Sequence, residues 1–392
     1  MADGRWSDLP MDILRSVLER LSFVYFNRAK MVCSHWYLCS KQTSPQKSGS
    51  PMLIMYLEDG GCGLYHPKEA RVYKTKGDLP KIKFLANSGN WFLVLDSKSS
   101  LYIIDVLSQK KIHLPPLESI KGCQYKLKRV GDKTFKEVGT RGSVVILHKA
   151  RNLRGLLWVD KKKEEFVVVW YFHRIKYMTE YLAFCKNAED HYHEIPARLQ
   201  DVSDMVLPCT GDSLYVLTTS NHIRKLTYKG LIKDILAPFC LPSPPTGLYD
   251  DDECRYNIAV RPSGEVLVVM SIFYGSSRPW MFLLDSFWMF LLYKKNPYRV
   301  PDNRFYNMLV KVDSLGDEAL FLDLGITVPA NRDLGIEPNS IYFSRTRHAG
   351  FSFQKSSCLD VCVLNIATKT LKRCFPGFLN IKLKDARWFL PS

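Results

Sequence analysis

The stretch that decides the fold is residues 6–42, WSDLPMDILRSVLERLSFVYFNRAKMVCSHWYLCSKQ. Pro10 suits a first helical position, where no backbone N–H is needed, and Asp8 suits the N-cap before it. The apolar residues that follow recur at the 3.6-residue spacing of one helix face: Ile13, Leu14, Val17, Leu18 and Leu21. After a break at Ser22 and Phe23, a second apolar stripe comprises Phe26, Ala29, Val32, Cys33 and Trp36. The pattern predicts a helical hairpin.

This hairpin carries more apolar surface than it can bury alone. A unit of roughly 35 to 40 residues is marginal as an independent core. Two short helices cannot enclose Leu9, Ile13, Leu14, Val32 and Trp36 between themselves. One interpretation is that the hairpin docks on a larger domain of its own chain. The other is that it offers its surface to the helices of a partner.

The motif residues of this stretch resemble an F-box. Leu-Pro-x-x-Ile-Leu at 9–14, a leucine at 21 and Val-Cys-x-x-Trp at 32–36 match that module without gaps. The resemblance implies docking on the Skp-type adaptor of cullin–RING ubiquitin ligases. The implied adaptor-facing or module-core positions are Leu9, Pro10, Ile13, Leu14, Leu21, Val32, Cys33 and Trp36.

The charge of the chain is strongly positive. The 392 residues carry 55 Lys and Arg against 39 Asp and Glu, a formal net charge of +16. Residues 1–45 contribute +2, so about +14 lies beyond them. Such an excess favours acidic partners, including nucleic acid or anionic lipid. However, the basic residues are scattered and the densest run is only Lys161-Lys162-Lys163, which favours a solvated basic surface as the explanation of the charge.

The cysteines and the apolar runs indicate a protein of the nucleus or cytoplasm. The eleven cysteines have no pairing spacing, and no apolar signal segment precedes them. We therefore expect reduced thiols. The most apolar run, residues 280–293, spans 14 residues, whereas a bilayer-spanning helix needs about 20. We predict two buried strand segments around a turn at Asp285 and Ser286, and no membrane association.

Beyond the hairpin the pattern changes to that of an all-β domain. Residues 43–50 are polar and rich in Ser, Pro and Gly, which is typical of a linker. From residue 51 onward, runs of five to seven β-branched, aromatic and aliphatic residues alternate with turn clusters. We predict a helical module at 1–42, a linker at 43–50 and a β domain at 51–392.

A repeat within the β domain suggests a propeller. A glycine and a polar residue precede an apolar run five times, at Gly89, Gly142, Gly211, Gly264 and Gly316. The spacings are 53, 69, 53 and 52 residues, close to the period of propeller blades. We expect each glycine turn to feed an inner strand, and a ring of six or seven blades. A pair of β-sandwiches is the alternative.

Outer hairpins and ring closure follow from the same repeat. Residues 101–114, 223–236 and 362–373 each show a strand, a polar turn and a basic strand. Propeller rings usually close by pairing the two ends of the domain. We predict that residues 51–57 form the closing strand, with residues 359–364 and 370–374 as its neighbours.

The β domain also resembles a plant-specific propeller family. The resemblance rests on GNWFLVLD at 89–96, HLPPL at 113–117, LGDEALFL at 315–322, NSIYF at 339–343 and the terminal Trp388-Phe389. Asp323 stands where the family usually has glycine. Plants often fuse this propeller behind an F-box, and some members bind a kinase of brassinosteroid signalling. The resemblance implies a plant substrate receptor, without naming its target.

Catalytic and metal-binding motifs are missing from the sequence. It contains no Cys-x-x-Cys, Gly-x-Ser-x-Gly, phosphate-binding loop or His-Glu-x-x-His. His191 and His193 have a spacing that can bind metal, but no third ligand stands nearby. We therefore expect no catalytic residue, no cofactor and no metal site. An enzyme would need converging carboxylates or metal ligands.

These observations favour the substrate-recognition subunit of a Skp–cullin–F-box ubiquitin ligase. The hairpin would bind the Skp-type adaptor, and through it the cullin and RING subunits, while the propeller holds an acidic or phosphorylated target. Loops with Arg345 and Arg347, and with Arg151 and Arg154, are the candidate target contacts. The alternative is a propeller protein that acts on a kinase or an acidic partner without ubiquitin transfer. We expect no specific nucleic-acid binding.

Overall fold

The computed structural model describes most of the chain. The described residues are 6–43, 49–57, 61–74, 82–122, 125–139, 145–173, 179–180, 182–187, 189–196, 199–200, 202–208, 210–218, 220, 222–230, 232–236, 252–274, 288–297, 309–347, 358–374 and 383–391. Part of the predicted linker at 43–50 therefore lies outside the described residues.

The N-terminal module contains three helices, so the prediction of a two-helix hairpin is wrong in that respect. They are α1 (Met11–Arg20), α2 (Phe23–Ala29) and α3 (Ser34–Lys41). A turn separates α2 from α3, and Cys33 is the extended N-cap of α3. Pro10 is the N-cap of α1 rather than its first residue, while Asp8 belongs to a 3₁₀ turn, Trp6–Asp8.

The rest of the described chain consists mostly of short strands. The first seventeen are β1 (Met52–Leu57), β2 (Cys62–His66), β3 (Arg71–Lys74), β4 (Lys83–Ser88), β5 (Trp91–Leu95), β6 (Leu101–Asp105), β7 (Lys111–His113), β8 (Ile120–Lys121), β9 (Tyr125–Gly131), β10 (Thr134–Gly139), β11 (Val145–Lys149), β12 (Leu153–Asp160), β13 (Glu165–Phe172), β14 (Thr179–Glu180), β15 (Leu182–Lys186), β16 (Tyr192–Glu194) and β17 (Leu199–Gln200).

The strands continue to the end of the described chain. They are β18 (Val202–Val206), β19 (Ser213–Thr218), β20 (Ile223–Thr227), β21 (Ile232–Leu236), β22 (Glu253–Val260), β23 (Val266–Phe273), β24 (Trp288–Lys295), β25 (Leu309–Val312), β26 (Glu318–Phe321), β27 (Ile326–Pro329), β28 (Ser340–Arg347), β29 (Cys358–Asn365), β30 (Leu371–Arg373) and β31 (Leu383–Phe389).

Most strands pair with their sequence neighbours in antiparallel sheets. Two four-stranded sheets have the orders β4-β5-β6-β7 and β18-β19-β20-β21, and a third, five-stranded sheet has the order β12-β13-β15-β16-β8. A nine-stranded sheet joins two such groups, β22 to β25 and β28 to β30, through the hairpin β26-β27. The three predicted outer hairpins are confirmed as β6-β7, β20-β21 and β29-β30.

The β domain closes on itself through its last described strand. β31 pairs antiparallel with β1, from Met52 opposite Phe389 to Leu57 opposite Leu383. The prediction that residues 51–57 form a closing strand is confirmed. Its predicted partners are wrong, because residues 359–364 lie in β29, between β28 and β30, and residues 370–374 include β30. The sheet order is β3-β2-β1-β31.

Six strands from different groups line one central cavity. Most lining residues come from β4, β12, β18, β22, β28 and β31, and the others include Tyr171 of β13 and the β26–β27 turn with Ile326. The glycine turns at Gly89, Gly211 and Gly264 follow the lining strands β4, β18 and β22 and lead into β5, β19 and β23. The prediction that these turns lead into the inner strand is therefore wrong. Each turn follows the strand that lines the cavity and leads into the next strand of the same sheet.

Gly211 combines two reasons for lacking a side chain. Its φ is +65°, and a Cβ built there would overlap the indole of Trp158. We expect Gly211→Ala to lower the free energy of unfolding by about 3 kcal/mol, from left-handed backbone strain plus overpacking. Urea unfolding measures it. Gly264 has φ +84° and open space around its Cα, so Gly264→Ala is the matched control and should cost about 1 kcal/mol. Equal losses would contradict the packing explanation.

An additional sheet interrupts the repeat. β9, β10 and β11 form a separate three-stranded sheet of order β11-β10-β9. The strand expected after Gly142 is β11 of this sheet, so the second of the five repeats does not belong to a four-stranded group; Gly142 itself lies outside the described residues. β9 and β10 precede Gly142, so only β11 of this sheet lies within the 69-residue spacing from Gly142 to Gly211.

The predicted strands at 280–293 are described only in part. β24 begins at Trp288 and pairs with β23 and β25, so the second segment is a strand as predicted. The first segment and the turn at Asp285 lie outside the described residues. Within the described chain, no helix has the length and apolar character needed to cross a membrane.

Candidate functional site

The helical module has a small core of its own. α1, α2 and α3 bury one face each against the others. The fully or nearly fully buried side chains are Leu14, Leu18, Phe26, Ala29, Trp36 and Cys39. These positions follow the 3.6-residue spacing of the sequence, so amphipathicity sets the packing.

Hydrogen bonds tie the segment before α1 to α3. The indole Nε1 of Trp36 donates to the carbonyl of Trp6 at 3.0 Å, and Nε2 of His35 lies 2.9 Å from the carbonyl of Leu9. The thiol of Cys39 reaches the carbonyl of Met11. These contacts hold Leu9 and Pro10 at a fixed position beside α3.

Exposed apolar side chains are concentrated on this module. Among the described residues, nine large hydrophobic side chains are exposed, and seven of them lie between residues 6 and 38. They are Trp6, Ile13, Tyr25, Met31, Val32, Tyr37 and Leu38. Soluble monomers rarely expose contiguous apolar surface without an interaction that uses it. The module therefore has the composition expected of a protein-binding surface.

The eight residues predicted for this surface fall into three groups. Leu14 and Trp36 are buried in the module core. Leu9, Leu21 and Cys33 are half-buried and pack against that core. The exposed members are Pro10, Ile13 and Val32. The first two groups shape the module, and the exposed group is available for direct contact with a partner.

Five further exposed apolar residues were not predicted for the surface: Trp6, Tyr25, Met31, Tyr37 and Leu38. Met31 lies in the turn before α3, directly beside Val32. Tyr37 and Leu38 flank the core face of α3, which is formed by Trp36 and Cys39. Apolar residues off the core face of an amphipathic helix were the signal that could have identified them.

The second helix attaches the module to the β domain. Phe23 and Val24 of α2 are buried in the same apolar cluster as residues of β1, β2 and β4 to β6. The ring of Tyr25 meets that of Tyr73 edge-on at 5.4 Å between centroids, and Arg28 donates to the carbonyl of Lys74. The interpretation that the module docks on its own chain is therefore confirmed for α2, while another face of the module stays exposed.

The central cavity has a volume of about 300 Å³ and a charged lining. Three arginines reach it from three strands: Arg154, Arg345 and Arg387. Asp204 and Asp323 also line it. Polar side chains on the strands around the cavity thus face inward, while the opposite faces pack in the apolar clusters between sheets.

Asp323 and Arg345 form an ion pair in the cavity wall. Arg345 Nη1 lies 3.1 Å from Asp323 Oδ1, and both Ser344 N and Ser344 Oγ donate to Asp323 Oδ2. Burial lowers the pKa of the Arg345 guanidinium, although the Asp323 charge opposes that shift. Asp323 stands where the resembling propeller family usually has glycine. In this structure its carboxylate binds both Ser344 and Arg345 in the cavity wall.

Asp204 is held by three donors in the same wall. The backbone N–H groups of Met205 and Ile258 and the amide of Asn257 donate to its carboxylate. Burial nevertheless raises its pKa above the ordinary value, because removal from water disfavours the charged form. Nearby Lys83 has its pKa lowered to about 8, first by burial and then by the charges of Arg154 and Arg387.

The four predicted target-contact arginines are not grouped on loops. Arg345 lies within β28 and faces the cavity, so its predicted position after the NSIYF strand is wrong. Arg347 ends β28, and its side chain lies outside the described residues. Arg151 is exposed in the 3₁₀ turn Ala150–Asn152. Arg154 lies in β12 and lines the cavity rather than a loop.

The two histidines considered for metal binding have carboxylate partners instead. His191 Nδ1 lies 2.5 Å from Asp190, and His193 Nε2 lies 3.6 Å from Glu189. The described part of the chain holds no group of three or more His, Cys, Asp or Glu arranged for a metal ion.

Sequence comparisons match both parts of the chain. The F-box domain family matches residues 6–45, and the KIB1-4 β-propeller family matches residues 64–365. The chain is 57% identical over 399 residues to the Arabidopsis thaliana F-box protein At5g25290, covering 99% of this chain and 97% of that protein. It is 32% identical over 416 residues to the Arabidopsis thaliana F-box protein KIB4, covering 100% and 96%.

Proposed function

Because the chain belongs to the F-box proteins that carry a KIB1-4 β-propeller domain, we propose that it is the substrate-recognition subunit of a Skp–cullin–F-box ubiquitin ligase. The helical module binds the Skp-type adaptor, and the propeller binds the protein to be modified. The observation that carries this proposal is the set of exposed apolar side chains on the module, with Ile13 and Val32 among them.

The module and the propeller divide the work between them. One face of the module packs on the β domain through Phe23 and Val24. Ile13, Met31 and Val32 remain exposed and can contact a partner. The adaptor brings the cullin and RING subunits. The protein performs no bond chemistry and raises the effective concentration of target lysines near a ubiquitin-charged enzyme. We place this function in the nucleus or cytoplasm, because the eleven cysteines show no pairing spacing in the sequence.

The strand groups around the cavity support a propeller of six blades. The six strands that supply most of the cavity lining are β4, β12, β18, β22, β28 and β31. Each begins one antiparallel group, and β31 completes the group of β1 to β3 by pairing the two ends of the domain. β9 to β11 are then an insertion in one blade rather than a seventh.

Reconstitution of the assembly tests this function. The full chain is mixed with a Skp-type adaptor, a cullin and a RING subunit and separated by size exclusion. We expect one complex that contains all four, and ubiquitylation of the chain itself when activating and conjugating enzymes are added. A chain that elutes apart from the adaptor overturns the proposal. A chain that binds the adaptor but excludes the cullin indicates a binding protein that acts without ubiquitin transfer.

A further inference from the structure

The inserted sheet β9-β10-β11 has two faces of opposite character. Its inner face joins the large apolar cluster of the neighbouring strand groups through Leu127 and Phe135. His148 stacks on Phe172 at 4.5 Å between ring centroids and pairs with the buried Glu137 at 2.7 Å. These contacts fix the sheet on the β domain.

The outer face of the sheet is basic and apolar. Side chains alternate along a strand, so the residues opposite to Leu127, Phe135 and His148 point outward. Four of them are lysines and three are aliphatic: Lys126, Lys128 and Val130 on β9, Lys136 and Val138 on β10, and Leu147 and Lys149 on β11. No carboxylate stands among these described outward residues, whereas Glu137 points inward.

Two aliphatic side chains on this face are unusually exposed. Val130 is 61% exposed and Leu147 is 63% exposed. Among the described residues they are the large exposed hydrophobic side chains that lie outside the helical module. The two concentrations of exposed apolar groups in the described chain are thus the module and this sheet.

Two lysines on this face lie directly opposite each other on neighbouring strands. The register of β9 and β10 places Lys128 directly opposite Lys136. Like charges at directly opposed positions destabilise a sheet. On the other side of β10, Lys136 lies opposite Leu147 rather than a carboxylate. An acidic group bound over this face would remove the repulsion.

The strand edges of the sheet are available as well. Among the described residues, no further strand pairs with the outer edge of β9 or of β11. An open edge offers unpaired backbone N–H and C=O groups to an added strand. On the inner side, Arg129 is anchored by Glu118 and by the carbonyl of Lys98, so β9 is held in place.

From this arrangement we propose that the outer face of β9-β10-β11 binds an acidic, extended protein segment with apolar side chains between its carboxylates. The segment's carboxylates pair with Lys126, Lys128 and Lys136, and its apolar side chains contact Val130 and Leu147. This rests on the proposed function in one respect: the segment then belongs to the protein that the ligase modifies.

A protein segment fits this face better than a nucleic acid or a membrane does. Single-stranded nucleic acid is held by aromatic stacking, and no aromatic side chain stands among the described outward residues. Lysine and aliphatic side chains stand together on this face, which matches a protein segment that carries both carboxylates and apolar side chains. An anionic membrane would be bound by charge with little dependence on the individual aliphatic residues.

The test measures binding of a defined acidic peptide to the full-length protein. The probe is a fluorescein-labelled twelve-residue repeat of Glu-Val-Glu-Leu, followed by fluorescence anisotropy. We expect Lys128→Glu with Lys136→Glu to weaken binding at least tenfold, and Leu147→Ser to weaken it several-fold. Lys162→Glu with Lys163→Glu makes the same charge change on exposed lysines of the turn between β12 and β13. It should stay within twofold of the unsubstituted protein.

Four outcomes overturn the proposal. The first two are that the peptide does not bind, and that substituting Lys128 and Lys136 weakens peptide binding no more than substituting Lys162 and Lys163. The third is that binding is unchanged when glutamine replaces the peptide's glutamates. The fourth is that the same lysines bind phosphatidylserine vesicles or a DNA oligonucleotide more tightly than the peptide. Adaptor binding is measured on each variant. If the unsubstituted protein does not bind the adaptor, the proposed ligase function is rejected. The peptide result tests only the binding face of the β9-β10-β11 sheet.

Discussion

Replacing Ile13 and Val32 together by serine is expected to abolish co-purification with a Skp-type adaptor and to leave the thermal unfolding temperature unchanged. The two side chains are 49% and 57% exposed, so they contribute little to the module core. If they anchor the interface, each should cost about 2 kcal/mol or more when truncated. Together that corresponds to a loss in affinity of roughly a thousandfold, since each 1.4 kcal/mol is a factor of ten.

Matched controls separate a surface effect from misfolding. Val130→Ser with Leu147→Ser removes two equally exposed aliphatic groups from the inserted sheet, and adaptor binding should persist. Leu14→Ala, inside the core, should weaken binding and also destabilise the module. Full adaptor binding by the Ile13 and Val32 variant would show that the adaptor uses another face.

Trp388→Ala should lower the free energy of unfolding of the β domain by about 3 to 5 kcal/mol, the usual cost of removing a large buried aromatic side chain. Trp388 is fully buried in the closing strand β31. Its Nε1 donates to the carbonyl of Phe343 at 3.2 Å, and its ring packs against Tyr342. Urea unfolding followed by tryptophan fluorescence and circular dichroism measures the change.

Removal of residues 383–392 should have a larger effect, with loss of the cooperative transition. β1 would then present an open edge, and the apolar cluster around Leu53 and Phe321 would meet water. Trp6→Ala is the control, because Trp6 is 69% exposed and packs against Trp36 of the helical module rather than in β1 or β31. A truncated chain that unfolds at the original urea concentration would contradict closure through β31.

The sequence predicted the module and the β class because those features depend on periodicity. Leu14, Leu18 and Trp36 follow helical spacing, and burial agrees with it. The division of the second helix was missed, because neither glycine nor proline marks the turn at Met31 and Val32. The turn forms through backbone hydrogen bonds from Met31 to Arg28 and from Val32 to Ala29.

The pairing of β31 with β1 and the position of Arg345 were missed for one shared reason. Strands that line the cavity carry polar residues on one face, so they lack the apolar run typical of buried strands. β31 carries Asp385 and Arg387 on the same side, and β28 carries Arg345. In a sequence, a charged residue favours the prediction of a loop. In the folded chain Arg345 lies in a strand, because Asp323 provides a carboxylate partner for it.

The pairing of β1 with β31 also has a consequence for synthesis on the ribosome. β1 emerges early, directly after the helical module, but its partner strand is made about 330 residues later, which takes roughly 15 to 65 s at ordinary translation rates. During that interval the helices can fold, while the edge of β1 that pairs with β31 stays open. Folding of the β domain is therefore completed only after β31 is made. Under the proposed function, a nascent chain can join an adaptor before it can hold a target.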